Sequence, residues 1–287
     1  MFRVKQQISF RSKVFWITLG LSLFVGLYSF VCWKQKSKNP LDTTVPNVAQ
    51  FKEGFYHIFV PKKNELKSLF GTGGVEYDNP WIVDDSIATF KSLFIAIGIG
   101  SAIGVLFGIA MGSFAQIEYM FFVPLMVFAG IPPSAMLSVF IVMGNFLGWG
   151  ENALIVALVV FGIAPTFARQ LYLAVTHDIP NEQVSMAYTL GAANEEVVYN
   201  VIFPTVLPRI IDGIRMLIGP AFVYLILVEL SLSDVGFGYR FRFASKDLMM
   251  NVVFIYLLIL SLATIAMSYG LLSLRKWLCP WFEESVE

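Results

Sequence analysis

The stretch Ser185-Met186-Ala187-Tyr188-Thr189-Leu190-Gly191, followed after nine residues by Val201-Ile202-Phe203-Pro204, decides how this sequence is read. It lies in a polar insertion, Thr176 to Asp212, that carries Asp178, Glu182, Glu195, Glu196, Pro204, Pro208 and Arg209 between long apolar runs. Gly191 can turn the chain without steric penalty, and a proline disfavours helix at the residue before it. The spacing therefore predicts a short helix, a turn at Gly191, and a second helix that ends before Pro204. Amphipathic helices of this kind belong outside a bilayer.

The runs on either side are long enough to cross about 30 Å of hydrocarbon. Toward the C-terminus, a span from about Gly213 to Leu232 carries Pro220 and, near its far end, Glu229; a loop with Gly236, Gly238, Arg240, Arg242 and Lys246 leads to a span from about Leu248 to Leu272. Toward the N-terminus, Ala153 to Val175 carries Pro165 and Arg169, and Tyr119 to Met143 is interrupted by Pro132 and Pro133 after Gly130. Those prolines remove two amide donors and must bend or break the helix, which survives at membrane depth only beside protein or a water-filled cavity. Ile87 to Met111 has Gly100, Gly104, Gly108 and Gly112 on one face, the spacing that lets a second helix approach closely. The first apolar run, Phe15 to Trp33, follows Arg3, Lys5, Arg11 and Lys13 and precedes Lys34, Lys36 and Lys38 instead of a small-residue cleavage site, so it reads as a retained span. Between it and the second span lies a polar stretch, Lys34 to Asp85, in which Phe51, Phe55, Ile58 and Phe59 have the spacing of an amphipathic helix over Val48 to Phe59 at the membrane surface.

Composition agrees with an all-α, polytopic membrane protein of about six transmembrane helices. Hydrophobic residues make up 57% and charged residues 14%, against roughly 45–50% and about 25% in a soluble domain. Twenty basic and twenty acidic side chains leave no surplus for nucleic acid. Cys32 and Cys279 have no Cys or His neighbour at metal-ligand spacing, and His57 and His177 fall on opposite sides, so no metal centre or catalytic dyad is expected. No Gly-x-x-x-x-Gly-Lys-Ser/Thr phosphate loop occurs. About six spans put both termini on one side together with the Thr176 to Asp212 insertion. Charge leaves open which side that is, because the first polar loop has seven Lys and Arg and the segment before the first span four. The chain divides into 1–33 (tail and first span), 34–85 (polar loop), 86–281 (transmembrane domain containing the 176–212 loop) and 282–287 (tail).

The polar insertion resembles the cytoplasmic EAA loop of ABC importer permeases: Glu-Ala-Ala, three residues, Gly, nine residues, then Ile, any residue, Leu and Pro. Spacing matches throughout, with Thr189-Leu190-Gly191-Ala192, Phe203-Pro204 and Leu207-Pro208 matching in detail. The departures are Ser185 where the family usually has Glu and Met186 where it has Ala. Gly130-Ile131-Pro132-Pro133, Gly148-Trp149-Gly150 and Glu229 to Gly236-Phe237-Gly238 resemble features of the nitrate, sulfonate and taurine branch, over Asp85 to Trp281. The resemblance implies a type I importer permease fold in a bacterial inner membrane, with both termini cytoplasmic and the 34–85 loop periplasmic. It implies a coupling helix built from Ser185, Met186, Ala187, Leu190, Gly191, Ala192, Val201, Phe203 and Pro204. The implied partners are a dimer of cytoplasmic ATP-binding subunits, a second permease protomer forming a homodimer, a periplasmic or lipid-anchored substrate-binding protein, and membrane lipid. ATP and Mg2+ would belong to the partner ATPase, with no cofactor and no catalysis on this chain.

Pathway candidates are Ile131, Pro132, Pro133 and Ser134 at the broken helix. Two readings of Glu229 are open: a gate element, or a carboxylate at headgroup level paired with Arg240 or Arg242. Arg169 is read as snorkelling to water, with attraction of an anion as the second reading, and Arg240 and Arg242 as solvated, as drawing an anionic solute or as docking a binding protein. A first rival to a permease is an ion-coupled secondary transporter, which needs buried carboxylates or an inverted repeat; the spans, read as sequence, offer neither. A second, a membrane-embedded enzyme, needs convergent His, Asp, Glu or Ser groups at membrane depth, and these are scarce.

Overall fold

Glycine at every fourth position of α3 (Trp81–Ser113) sets the arrangement of the spans. A Cβ at Gly100, Gly104, Gly108 or Gly112 would fall within 2.7 Å of Ile163, Phe167, Leu171 or Val175, respectively, on α6 (Glu151–Asp178). The partner number rises in step with the glycine number, so α3 and α6 are parallel. This is the largest contact in the computed structural model, which describes residues 10–39, 42–59 and 80–282.

Parallel neighbours require the chain to recross the membrane between them. Two helices bent by 100° at Ile131 and Pro132 fill this interval, α4 (Ala115–Gly130) and α5 (Pro133–Leu147). Despite the bend they run down the length of α6. Tyr172 donates a 2.6 Å hydrogen bond to Glu118, Phe128 meets Phe161 edge to face, Pro133 abuts Gly162, and Gly144 lies under Leu154. At about 1.5 Å per residue α6 is about 42 Å long, so a pair that returns along most of it is one broken crossing and not a loop dipping in from one side.

α7 (Asn181–Thr189) lies beyond the end of α6, and α8 (Asn194–Leu232) returns antiparallel to it. Arg209 pairs with Asp178, Gly213 sits on Phe167, and Tyr224 packs on Gly162. The expected stop before Pro204 does not occur. Residues Val198–Ile202 widen into a π-turn, in which the Phe203 amide bonds back to Val198 O, and the helix continues through Pro204. The extra residue in the turn relieves the clash between a proline ring and the carbonyl four residues back, so the missing amide no longer breaks the helix.

α9 (Phe237–Lys246) caps the far end, where a loop was expected, and α10 (Met250–Leu278) runs back to pair Arg275 with Asp212 at 2.6 Å. α3 starts at Trp81, so Asp85 belongs to a helix and not to the 34–85 loop. α1 (Phe10–Lys38) likewise continues past residue 33. Within the polar loop, α2 (Val48–Phe59) forms where the sequence spacing predicts it. Residues 60–79 and 283–287, parts of the expected loop and C-terminal tail, lie outside the described residues.

Two apolar clusters hold the bundle. The larger is built on Leu93, Ala96, Leu158, Phe167, Leu171, Val206, Ala221 and Leu225; the smaller, at the α9 end, on Ile58, Phe237, Ile255 and Tyr256. Phe90 joins them, edge-on to both Phe222 and Phe237. Large apolar side chains on the outside, among them Phe24, Leu106, Met120, Phe146 and Val223, are exposed, as lipid-facing residues are.

Candidate functional site

The polar insertion folds into a knob at one end of the bundle. α7 ends in a Schellman closure: the Gly191 amide donates to Tyr188 O and the Ala192 amide to Ala187 O, with Gly191 at φ +89°. The turn is fixed again on its other side. The Glu196 carboxylate accepts the Ala193 amide at 2.9 Å, and Tyr188 donates its hydroxyl to Asn194 at 3.0 Å. Ala187, Ala192 and Val201 pack inward against the main cluster. Met186, Leu190, Tyr199 and Phe203 point outward, Leu190 being 82% exposed. Ser185 is exposed, half-buried Pro204 follows the π-turn, and no break separates this knob from the spanning part of α8. The knob is therefore rigid, has an apolar tip, and is continuous with a membrane helix.

Next to it is a cleft of about 440 Å3 lined by Asp178, Pro204, Thr205, Arg209, Trp281 and Phe282. The Phe282 ring lies between the Arg209 and Arg275 guanidinium groups, at 6.0 and 5.6 Å. These contacts tie the end of α10 to α6 and α8 beside the knob.

The broken crossing brings Ile131, Pro132, Pro133 and Ser134 together. Pro133 is buried against Gly162, Ile131 is half-buried, and Pro132 and Ser134 are exposed. Pro133 opens α5, where an amide would have no helical partner in any case.

At the opposite end is a polar node that sequence reading only partly anticipated. Glu229, 1% exposed, accepts the Thr89 hydroxyl at 2.9 Å and the Gly238 amide at 2.9 Å. It does not pair with Arg240 or Arg242. Arg240, expected in an exposed loop, is 3% exposed and donates Nε to Asp85 at 2.8 Å, under the Trp81 ring at 4.2 Å. Asp85 also accepts the Tyr256 hydroxyl at 2.6 Å and the Gly236 amide at 3.1 Å. Arg242 caps the end of α8 by donating to Ser233 O at 2.9 Å. A Cβ at Gly238 would lie 2.6 Å from Ile226 O, so only glycine lets the α9 terminus come this close to α8. Among the described residues the spans thus hold two buried carboxylates, Glu229, which the sequence singles out, and Asp85, which it assigns to the end of the polar loop. Asp85 takes donors from Arg240, Tyr256 and Gly236, and Glu229 takes the Thr89 hydroxyl and the Gly238 amide. Asp85 and Thr89 continue the buried stripe of α3 back from Gly100 through Ala96 and Leu93, and that register was the available signal. Arg169 is exposed, while His57 in α2 and His177 at the last turn of α6 lie at opposite ends of the bundle.

The family of binding-protein-dependent transport system inner membrane components matches residues 66–284. The taurine transport system permease protein TauC of Escherichia coli (strain K12) is 25% identical over 69% of this chain and 70% of its own length. The nitrate import permease protein NrtB of Synechocystis sp. (strain ATCC 27184 / PCC 6803 / Kazusa) is 22% identical over 97% of this chain and 94% of its own. Among solved structures, an inward-facing form of the MetNI methionine ABC transporter superposes with a TM-score of 0.51 at 18% identity, covering 67% of this chain and 94% of that one.

Proposed function

The chain belongs to the family of binding-protein-dependent transport system inner membrane components, the permease subunits that form the transmembrane pathway of ABC importers, and on that premise we propose how it couples and what it carries. The knob of α7 and the first turns of α8 is the coupling element. Met186, Leu190, Tyr199 and Phe203 insert into a cleft of a cytoplasmic ATP-binding subunit, and α8 passes the resulting tilt to the bundle without a hinge. One observation carries this reading: an exposed apolar tip, locked at both sides of Gly191, on a helix that continues through the membrane. Two copies of the chain enclose the pathway, which passes the break at Ile131 to Ser134. A substrate-binding protein docks at the α9 end, outside the cell, and both termini are cytoplasmic.

The solute is a small oxyanion or organic solute of the nitrate, sulfonate, taurine or bicarbonate kind. Support comes from the names of the two relatives and from the Gly130-Ile131-Pro132-Pro133 and Gly236-Phe237-Gly238 motifs. Cysteine at Leu190 should crosslink to the ATP-binding subunit in the assembled importer, whereas cysteine at Trp149, at the other end of the bundle, should not. A Leu190 site that reacts with no ATP-binding subunit contradicts the coupling assignment. The rival, an ion-coupled transporter, predicts solute uptake by vesicles that lack the ATPase; its carboxylates would have to be Asp85 and Glu229, whose oxygens are already occupied.

A further inference from the structure

Residues Val48–Phe59 precede the 66–284 segment matched by the family, yet α2 is built into the outer end of the bundle. Gly54 lies against the second residue of α10: a Cβ there would meet the Asn251 carbonyl at 3.2 Å and Ile255 at 2.9 Å. Asn251 donates its side-chain amide to Gln50 O at 3.3 Å, and Ile58 is fully buried in the smaller cluster. Thr43, just before α2, donates to Leu248 O at 2.6 Å. The depth of α2 is therefore fixed at the end of a spanning helix, where hydrocarbon gives way to headgroups.

At 100° per residue, α2 presents three faces. Phe51, Gly54 and Ile58 face the bundle. One flank of that face carries Glu53 and His57, 3.8 Å apart, Glu53 being the more exposed of the two. On the other flank Val48, Phe55 and Phe59 form one stripe, 75%, 52% and 43% exposed, with the Phe55 and Phe59 rings stacked at 4.4 Å. The stripe borders the packed face, so it looks sideways from the bundle at the depth where lipid lies, while Glu53, on the other flank, points nearly the opposite way. Exposed Tyr56 and Lys52 flank it, the residue types that favour a membrane–water boundary. At the same level, the last two turns of α1 present exposed Lys34 and Lys38, and Lys36 binds Gln50 Oε1 at 2.8 Å and the Asp42 carbonyl. Asp42 itself is clasped by Thr44 and Gln35, which lower its pKa to about 2.

We propose that α2 is an interfacial anchor whose Val48, Phe55 and Phe59 insert among the lipid chains of the leaflet at the α9 end of the bundle. The occupant of this face is lipid. The proposal is independent of the coupling assignment, because it concerns the opposite end of the molecule. It would set the height of the α10 terminus, and with it Tyr256 and the node around Asp85, against the bilayer.

The test uses the full chain with Cys32→Ser and Cys279→Ser, reconstituted in phosphatidylcholine and phosphatidylglycerol nanodiscs, with an environment-sensitive fluorophore on Phe55→Cys, Phe59→Cys or, for comparison, Glu53→Cys. At positions 55 and 59 the probe should emit at shorter wavelength and be quenched several-fold more by shallow spin-labelled lipid than by iodide; at position 53 the order should reverse. Iodide quenching at 55 and 59 equal to that at 53 would overturn the proposal by placing the stripe in water. Shielding from both quenchers would also overturn it, by showing that protein covers the stripe. Because these side chains are exposed, the variants should fold, and size-exclusion profiles matching the parent chain verify this.

Discussion

A backbone held at φ +89° suits very few side chains. Gly191 adopts it with nothing within 4 Å of where a Cβ would stand, so the requirement is conformational and not spatial. A β-branched side chain in the left-handed region costs about 1–2 kcal/mol or more, whereas asparagine tolerates it. Gly191→Val should therefore insert normally but lose substrate-stimulated ATP hydrolysis in the reconstituted importer, and Gly191→Asn should retain most of it. Equal activity in the two variants would detach the turn from coupling. Asp85 is the counter-case. Its burial was not legible, because an acid just ahead of an apolar run reads as a loop end, and its partner Arg240 lies far along the chain. Breaking a buried ion pair by removing one member costs about 3–5 kcal/mol. Asp85→Ala should lower stability by that order in detergent denaturation, and Asp85→Ala with Arg240→Ala should lose less than the sum of the single changes. A single variant within 1 kcal/mol of the parent would show the pair to be dispensable.

Elements were legible where a periodic pattern met a single neighbour. The glycine ladder of α3 announced a close partner, and its contact with α6 follows from side-chain size alone. Helix α2 was legible for the same reason, from apolar residues at helical spacing. Continuation of α8 through Pro204 was not, since proline ordinarily ends a helix and only the π-turn at Val198–Ile202 removes the conflict. The ladder can be tested against its own helix. A Cβ on Gly108 would stand 2.6 Å from Leu171 Cβ and 2.8 Å from Ala168 O, neither of which can swing away; Gly98 has nothing within 4 Å. Gly108→Ala should destabilise the bundle by about 1–3 kcal/mol through forced separation of α3 and α6. Gly98→Ala should be neutral or stabilise by up to about 1 kcal/mol, because alanine favours helix over glycine. Thermal unfolding of the two variants in one detergent separates packing from propensity.

For the whole molecule, parallel α3 and α6 decide the number of crossings. If the chain from Ser113 to Glu151 crosses, Trp149 lies with α9 at the end opposite Leu190. If it only dipped into the bilayer, α6 would begin on the side where α3 ends, and the matched contacts from Gly100–Ile163 to Gly112–Val175 could not form. The sequence showed that this segment breaks at Pro132 but not that its halves would bend by 100°, because the angle depends on Pro133 fitting against Gly162 of another helix. A membrane-impermeant thiol reagent distinguishes the two topologies in intact cells. With the native cysteines replaced, Trp149→Cys and Ser245→Cys should react from outside, and Leu190→Cys only after the membrane is permeabilised. Labelling of residues 149 and 190 from the same side would leave five full crossings and place the termini on opposite faces. In that arrangement the knob could not act on the same bundle that Asp85 and Arg240 close at the other end, so the side on which Trp149 reacts bears on the mechanism as well as on the topology.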